Sequence, residues 1–209
     1  MIYNPNIHHR RSIRLKGYDY SKAGLYFITI CCEDRICRFG EIVGPGFNPA
    51  HDGIRQPQGF VPTMQLNEYG QIAYNEWAKL PERFTNFELD VFQIMPNHVH
   101  GIISLNDVGA TLAVAPNDTN AQTGQPHTAN KGQPQGLPLP TIGDIVGAYK
   151  SLVANECLKI FKTKNETMGK MWQRDYYEHI IRDEQSYQRI SEYIINNPAK
   201  WKDDKFHKS

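Results

Sequence analysis

Two apolar segments joined through a proline constrain this chain more than any other feature. The first segment ends at Pro96, and the second covers residues 98–105 and begins with His98, Val99 and His100. Side chains alternate between the two faces of a strand, so His98 and His100 share one face while Val99 faces the core. Two imidazoles spaced about 6–7 Å apart along a strand can both reach one divalent ion. From this pair alone, a metal site and two hydrogen-bonded structural histidines remain open alternatives.

The hydrophobic pattern of the whole chain predicts an α+β fold. Order along the chain and the helix–strand alternation favour a ferredoxin-like (RRM-like) antiparallel sheet with helices packed on one face. Strand patterns occur at residues 24–32, 37–43, 87–94, 98–105 and 177–181, the second segment being predicted as the hairpin partner of the first. Helical spacing occurs at residues 66–80, 145–161 and 184–197, with Asn67 and Asp183 as N-caps and Pro198 after the last helix.

A length of 209 residues suits a single domain, residues 1–209, that carries two insertions. Residues 44–62 are rich in turn-forming Gly, Pro and Asn. Residues 106–140 consist mainly of Asn, Thr, Gln, Gly, Pro and Ala, which bury too little apolar area to offset the entropy of ordering. We therefore predict that this second insertion is a disordered linker.

Composition limits the classes of protein that this chain can belong to. Hydrophobic residues make up 40% and charged residues 22%, as in soluble globular proteins. The formal net charge is only +1, so any basic surface that binds nucleic acid must be local. The N-terminal residues show no signal-peptide pattern, and no apolar run reaches the roughly 20 residues needed to span a bilayer. We expect a cytoplasmic, nucleoid-associated protein with no membrane partner.

Three of the four cysteines, Cys31, Cys32 and Cys37, lie close together in the sequence. Their spacing is not a common zinc pattern, and no nearby histidine pair completes it. Cys31 and Cys32 end an apolar strand, so we expect them to be small buried hydrophobic residues.

The last predicted helix carries two residues that can complete a site. Tyr193 and Asn197 lie four residues apart and therefore share a helix face. If that face covers His98 and His100, the Asn197 amide oxygen becomes a third ligand and Tyr193 lies beside the ion. Two imidazoles and a hard oxygen, with positions left open, suit Mg²⁺ or Mn²⁺. The alternative is that Tyr193 is an ordinary packed tyrosine.

Several short motifs in fixed order add to this pattern. They are Met95-Pro96-Asn97 before His98-Val99-His100, then Trp172-Gln173, Tyr176-Tyr177, Ile181-Arg182 and Tyr193-Ile194-Ile195-Asn196-Asn197-Pro198. With this set the chain closely resembles the single-tyrosine HUH transposases, and within them the REP-associated tyrosine transposases. The resemblance covers nearly the whole chain apart from the two insertions. The long second insertion and the near-neutral charge depart from the pattern of many relatives.

The resemblance implies an enzyme that cleaves and rejoins single-stranded DNA beside a hairpin or palindromic repeat. It implies that His98 and His100 bind the metal, that Asn197 is the third ligand, and that the last helix is catalytic. Tyr193 would be the nucleophile that forms a 5′-phosphotyrosine in a transesterification. A homodimer remains open, since the family includes both monomers and dimers.

The sequence predicts that four basic residues contact DNA phosphates. For each of them, an ordinary surface charge is an equal alternative. They are Arg35, Lys150, Arg174 and Arg182.

Two other functions compete with strand transfer. A four-stranded sheet bearing aromatic residues can bind single-stranded nucleic acid without cutting it. A metal-dependent phosphohydrolase would use water, so Tyr193 would be dispensable and no covalent DNA adduct would form.

Overall fold

The computed structural model describes residues 19–44, 62–84, 86–106 and 139–207. Most of the two predicted insertions, residues 45–61 and 107–138, lies outside these ranges. The N-terminal residues 1–18 also lie outside them, so the predictions made for all three segments stay predictions.

The described residues form an antiparallel sheet with helices on both faces, which confirms the predicted α+β class. The strands are β1 (Gly24–Cys31), β2 (Gly40–Val43), β3 (Thr63–Leu66), β4 (Phe87–Ile94), β5 (His98–Leu105) and β6 (Tyr177–Ile181). The helices are α1 (Glu68–Ala78), α2 (Leu80–Arg83), α3 (Ile142–Thr163) and α4 (Glu184–Asn196), with short 3-10 helices at Glu33–Arg35 and Pro198–Asp203.

The main sheet has four strands in the order β4-β5-β1-β6, and every neighbouring pair is antiparallel. β1 and β5 occupy the two central places, as their nearly continuous apolar sequences require, because both faces of these strands are covered. β2 and β3 form a separate two-stranded ribbon.

The prediction that residues 37–43 form the hairpin partner of the first strand is wrong. β2 is indeed a strand, but it pairs with β3. Both edges of β1 are already occupied, by β5 and β6, so no edge remains for β2. In the turn after β1, Asp34 and Arg35 have positive φ (54° and 55°) and so depart from strand geometry.

The two faces of the sheet bury different helices. Tyr26, Ile28 and Ile30 of β1 belong to the larger core, which also contains the buried Trp77 of α1 and Tyr149 of α3. A smaller cluster on the other face joins Ile102 of β5 and Ile181 of β6 to Ile194 of α4. The C-terminal helix α4 therefore lies on the face opposite to α1 and α3.

Side-chain caps fix where the helices begin. The Asn67 side chain accepts a hydrogen bond from the Gly70 N–H at 2.9 Å, and Asp183 accepts one from Ser186 at 2.7 Å, as predicted. Among the described helices, none is both long and apolar enough to cross a membrane.

The four cysteines are free thiols, of which Cys31, Cys32 and Cys157 are buried and Cys37 is exposed. Burial of Cys31 and Cys32 confirms that they act as small core residues.

Gly101 lets α1 approach the sheet closely. A Cβ atom added to this β5 residue would lie 2.4 Å from Cζ2 of Trp77, and the indole is 1% exposed and cannot move aside into solvent. Only glycine therefore accommodates the Trp77 ring at this point of the sheet.

We predict that Gly101→Ala lowers the free energy of unfolding by about 1–3 kcal/mol, because the methyl group overpacks the contact with Trp77. The matched control is Gly147→Ala on the exposed side of α3, where an added Cβ meets nothing within 4 Å. This control should raise stability by about 0.5–1 kcal/mol, since alanine favours the helix interior. Urea unfolding measures both; a Gly101→Ala protein as stable as wild type would contradict the packing described.

Candidate active site

His98 and His100 lie side by side on the sheet face that α4 covers. Their ring centroids are 4.4 Å apart, and both side chains are buried. Each histidine is opposite a β1 residue in the register, His98 opposite Cys31 and His100 opposite Thr29. Neighbouring backbone therefore holds both imidazoles at fixed positions.

The two rings have different hydrogen-bond partners. His98 Nδ1 lies 2.8 Å from the Asn97 amide oxygen, while its Nε2 is buried and has no hydrogen-bond partner among the described residues. His100 Nδ1 lies 2.8 Å from the Thr29 hydroxyl oxygen, and its Nε2 lies 3.2 Å from the Tyr193 phenol oxygen. One side of each ring is thus anchored by a neighbour, and the other side faces the space between β5, α4 and the C-terminal segment.

Both imidazoles are neutral near pH 7. Burial is the main cause that lowers the pKa of His98 to about 3, and the positive charges of Lys205 and Arg35 lower it further. Burial also holds the pKa of His100 well below its usual value, and the neighbouring His98 adds to this effect. A neutral imidazole keeps a nitrogen lone pair, which metal binding requires.

α4 brings Tyr193 to the histidine pair. Besides its contact with His100, the phenol donates a hydrogen bond to the Asp204 carboxylate at 3.3 Å, and its ring packs edge-on against Phe27. Burial is the main cause that raises the pKa of Tyr193 to about 12, and the negative charge of Asp204 adds to this effect. The phenol is therefore protonated at neutral pH.

Asp204 is the site residue that sequence reasoning missed. Its carboxylate and one ring nitrogen each of His98 and His100 lie within 4.8 Å of one another. Asp204 comes after the last 3-10 helix, in a short polar stretch with neither periodicity nor a motif. No local signal distinguishes it from the adjacent Asp203.

Asn197 lies beside this cluster, at the C-terminal end of α4. Its amide nitrogen donates to the Asp204 carboxylate at 2.9 Å, and its amide oxygen is buried with no hydrogen-bond partner in the described part of the chain. Two oxygen donors, one from Asp204 and one from Asn197, therefore accompany the two imidazoles.

The C-terminal segment after α4 covers the histidines. Phe206 packs on His98 with ring centroids 4.6 Å apart, and Trp201 lies 5.9 Å from the same ring. The Phe206 backbone oxygen accepts a hydrogen bond from Asn97 at 2.9 Å. These contacts bury the imidazoles completely in this conformation.

The four basic residues predicted to contact phosphates have different surroundings. Arg35 donates to the Lys205 backbone oxygen at 2.9 Å and so holds the segment over the histidines. Lys150 is half-buried and donates to the carbonyl oxygens of Gln173 and Arg174, at 2.7 and 3.0 Å. Arg174 and Arg182 are exposed and line two separate cavities, of about 720 and 390 Å³. Phosphate contact by these four residues stays a prediction.

Known proteins resemble this chain at several levels. No protein-family model matches it. A solved structure described as a REP-associated tyrosine transposase bound to a REP hairpin superposes with a TM-score of 0.49 at 17% identity, over 90% of this chain and 74% of the other. A putative transposase from Deinococcus radiodurans gives a TM-score of 0.40 at 16% identity, over 88% and 97%.

Two proteins of Haemophilus influenzae are similar in sequence. One is described as a "Putative REP-associated tyrosine transposase" and is 23% identical over 183 residues, or 87% of this chain and 74% of that protein. The other is uncharacterized and is 41% identical over 205 residues, or 98% of this chain and 97% of that protein. The chain therefore belongs to one family with the uncharacterized Haemophilus influenzae protein, and its resemblance to the REP-associated tyrosine transposases is confirmed.

Proposed function

We propose that this protein cleaves and rejoins single-stranded DNA by transesterification through Tyr193. The observation that carries the proposal is the phenol oxygen of Tyr193, which lies 3.2 Å from His100 and beside a cluster of two buried, neutral imidazoles and a partly buried carboxylate. Sequence similarity to a protein described as a REP-associated tyrosine transposase supports the same chemistry.

We further propose that His98, His100 and Asp204 hold a divalent ion, Mg²⁺ or Mn²⁺, with the Asn197 amide oxygen as an additional ligand. The residues fit such an ion because His98 Nε2 and the Asn197 oxygen are buried without a partner among the described residues. Mixed imidazole and oxygen donors within 4.8 Å also suit it. A bound divalent ion supplies electrophilic polarisation of the scissile phosphate.

Tyr193 and Asp204 divide the covalent step between them. The Tyr193 oxygen attacks phosphorus while its proton passes to the Asp204 carboxylate, which already accepts the phenol hydrogen bond. The phosphorus–oxygen bond to the 3′ oxygen breaks, and that oxygen takes the proton from Asp204, which leaves a free 3′-hydroxyl and an ionised carboxylate. The other product is a 5′-phosphotyrosine, and reversal of the same steps with a 3′-hydroxyl rejoins the strand without ATP.

The substrate reaches the histidines only after the rings that cover His98 move aside, while Asp204 stays bonded to Tyr193 and Asn197. Phe206 and Trp201 pack on His98, so a strand enters only if the Arg35 bond to Lys205 and the Asn97 bond to Phe206 open. The proposed substrate is single-stranded DNA with a hairpin or palindromic repeat, in the cytoplasm at the nucleoid. The active form is a monomer or a homodimer.

We predict that Tyr193→Phe abolishes a covalent protein–DNA adduct that wild type forms. The variant keeps the ring contact with Phe27, so its stability should change by about 1 kcal/mol or less. Each protein is incubated with Mn²⁺ and a hairpin oligonucleotide labelled at its 3′ end, and is then run on a denaturing gel. Label should migrate with wild type only.

The matched control is Tyr177→Phe, because Tyr177 has the same 37% exposure as Tyr193 and its ring also contacts Phe27. This control should retain the adduct. An adduct in Tyr193→Phe would assign the nucleophile to another residue. Strand cleavage without any adduct would favour hydrolysis, and binding without cleavage would favour a binding module.

A second prediction concerns the proposed ligands. Calorimetric titration with Mn²⁺ should show an affinity lower by about tenfold or more in His98→Ala and in Asp204→Ala than in wild type, since each loses a donor. Asp203→Ala is the matched control, because that exposed neighbour is outside the cluster. Equal affinities for wild type and Asp204→Ala would remove the carboxylate from the ligand set.

A further inference from the structure

We infer that Asn97 is a positioning residue that fixes the tautomer of His98, so that the Nε2 lone pair is presented to the ion site. The benefit of this tautomer for metal binding rests on the proposed function, whereas the tautomer itself follows from the hydrogen bonds of the protein alone.

The orientation of the Asn97 amide is determined by two backbone oxygens. Its nitrogen lies 3.0 Å from the Arg35 carbonyl oxygen and 2.9 Å from the Phe206 carbonyl oxygen. Carbonyl oxygens only accept, so the amide group next to them must be the NH₂ group, which has two hydrogens to donate. If the amide group were turned around, its oxygen would lie against the carbonyl oxygens of Arg35 and Phe206. Three acceptors would then meet in a fully buried position without a hydrogen to share.

The backbone holds Asn97 in this place. It lies in the tight turn between β4 and β5, where its own carbonyl oxygen accepts from Cys32 at 2.8 Å and Met95 donates to His98 at 2.8 Å. The side chain is therefore fixed at both ends, by the turn and by the two accepting carbonyls. Even if Phe206 moves away, the bond to Arg35 still holds the amide.

The fixed amide leaves one choice for His98. The Asn97 oxygen, 2.8 Å from His98 Nδ1, can only accept, so Nδ1 must carry a proton. A protonated Nε2 would then be a buried N–H without an acceptor among the described residues. Such a buried, unpaired donor is costly, so Nε2 keeps its lone pair.

His100 provides the contrast that makes the inference specific. Its Nδ1 lies against the Thr29 hydroxyl, which can either donate or accept. Thr29 therefore allows both tautomers of His100, whereas Asn97 allows only one for His98. His98 therefore always offers its Nε2 lone pair to the ion. His100 Nε2, by contrast, can contact either Tyr193 or an ion.

The test is direct observation of the ring protons in the full-length protein without metal. Long-range ¹H–¹⁵N correlation spectra of histidine-labelled protein report which nitrogen of each ring is protonated, and the signals that disappear in His98→Gln identify His98. Wild type should show His98 protonated at Nδ1 and unprotonated at Nε2. A wild-type His98 protonated at Nε2 would overturn the inference without any need for an Asn97 variant.

Asn97→Ala should shift His98 to the Nε2–H tautomer that free histidine favours, and should weaken Mn²⁺ binding by about 10- to 100-fold. Thr29→Val is the matched control: it removes the partner of His100 and should leave the His98 spectrum unchanged. An Asn97→Ala protein in which His98 stays protonated at Nδ1 would refute the role of Asn97. If the tautomers behave as expected but wild type binds no Mn²⁺, the inference about Asn97 stands and the proposed metal-dependent function fails.

Discussion

The pairing of β1 with β5 is the interaction on which the candidate site depends. The register joins eight residue pairs, from Gly24 with Leu105 to Cys31 with His98, and puts Thr29 opposite His100. A slip of one residue would exchange the faces of a strand and turn its side chains from one layer to the other. The slip is opposed because Tyr26, Ile28 and Ile30 pack in the larger core, whereas the polar Thr29, His98 and His100 lie on the other face. The large core therefore stabilises the positions of the two histidines and of Thr29 on the neighbouring strand.

Much of this arrangement is encoded locally and could be predicted from the sequence. The alternation of strand side chains places His98 and His100 on one face, and the four-residue spacing of Tyr193 and Asn197 places them on one side of α4. The cap at Asp183 and the proline at position 198 set the bounds of that helix. Periodicity fixes such features because neighbours in the sequence are neighbours in space.

Contacts between distant segments could not be predicted in this way. The partner of β2 depends on which edges of the sheet are already occupied, and no pattern within residues 37–43 records that. Asp204 reaches the histidines only because the segment after α4 folds back over β5, more than 100 residues earlier in the chain. The orientation of the Asn97 amide likewise depends on carbonyl oxygens of Arg35 and Phe206.

The proposed function requires that this face of the sheet binds a divalent ion beside Tyr193. Anomalous diffraction from crystals grown with Mn²⁺ tests it most directly, because the signal locates the ion independently of any assay. We expect one strong peak bonded to His98 Nε2 and to a ring nitrogen of His100, with an oxygen of Asp204 or Asn197 completing the protein ligands. The absence of a peak between the histidines at saturating Mn²⁺, or a peak bound only by other residues, would contradict it.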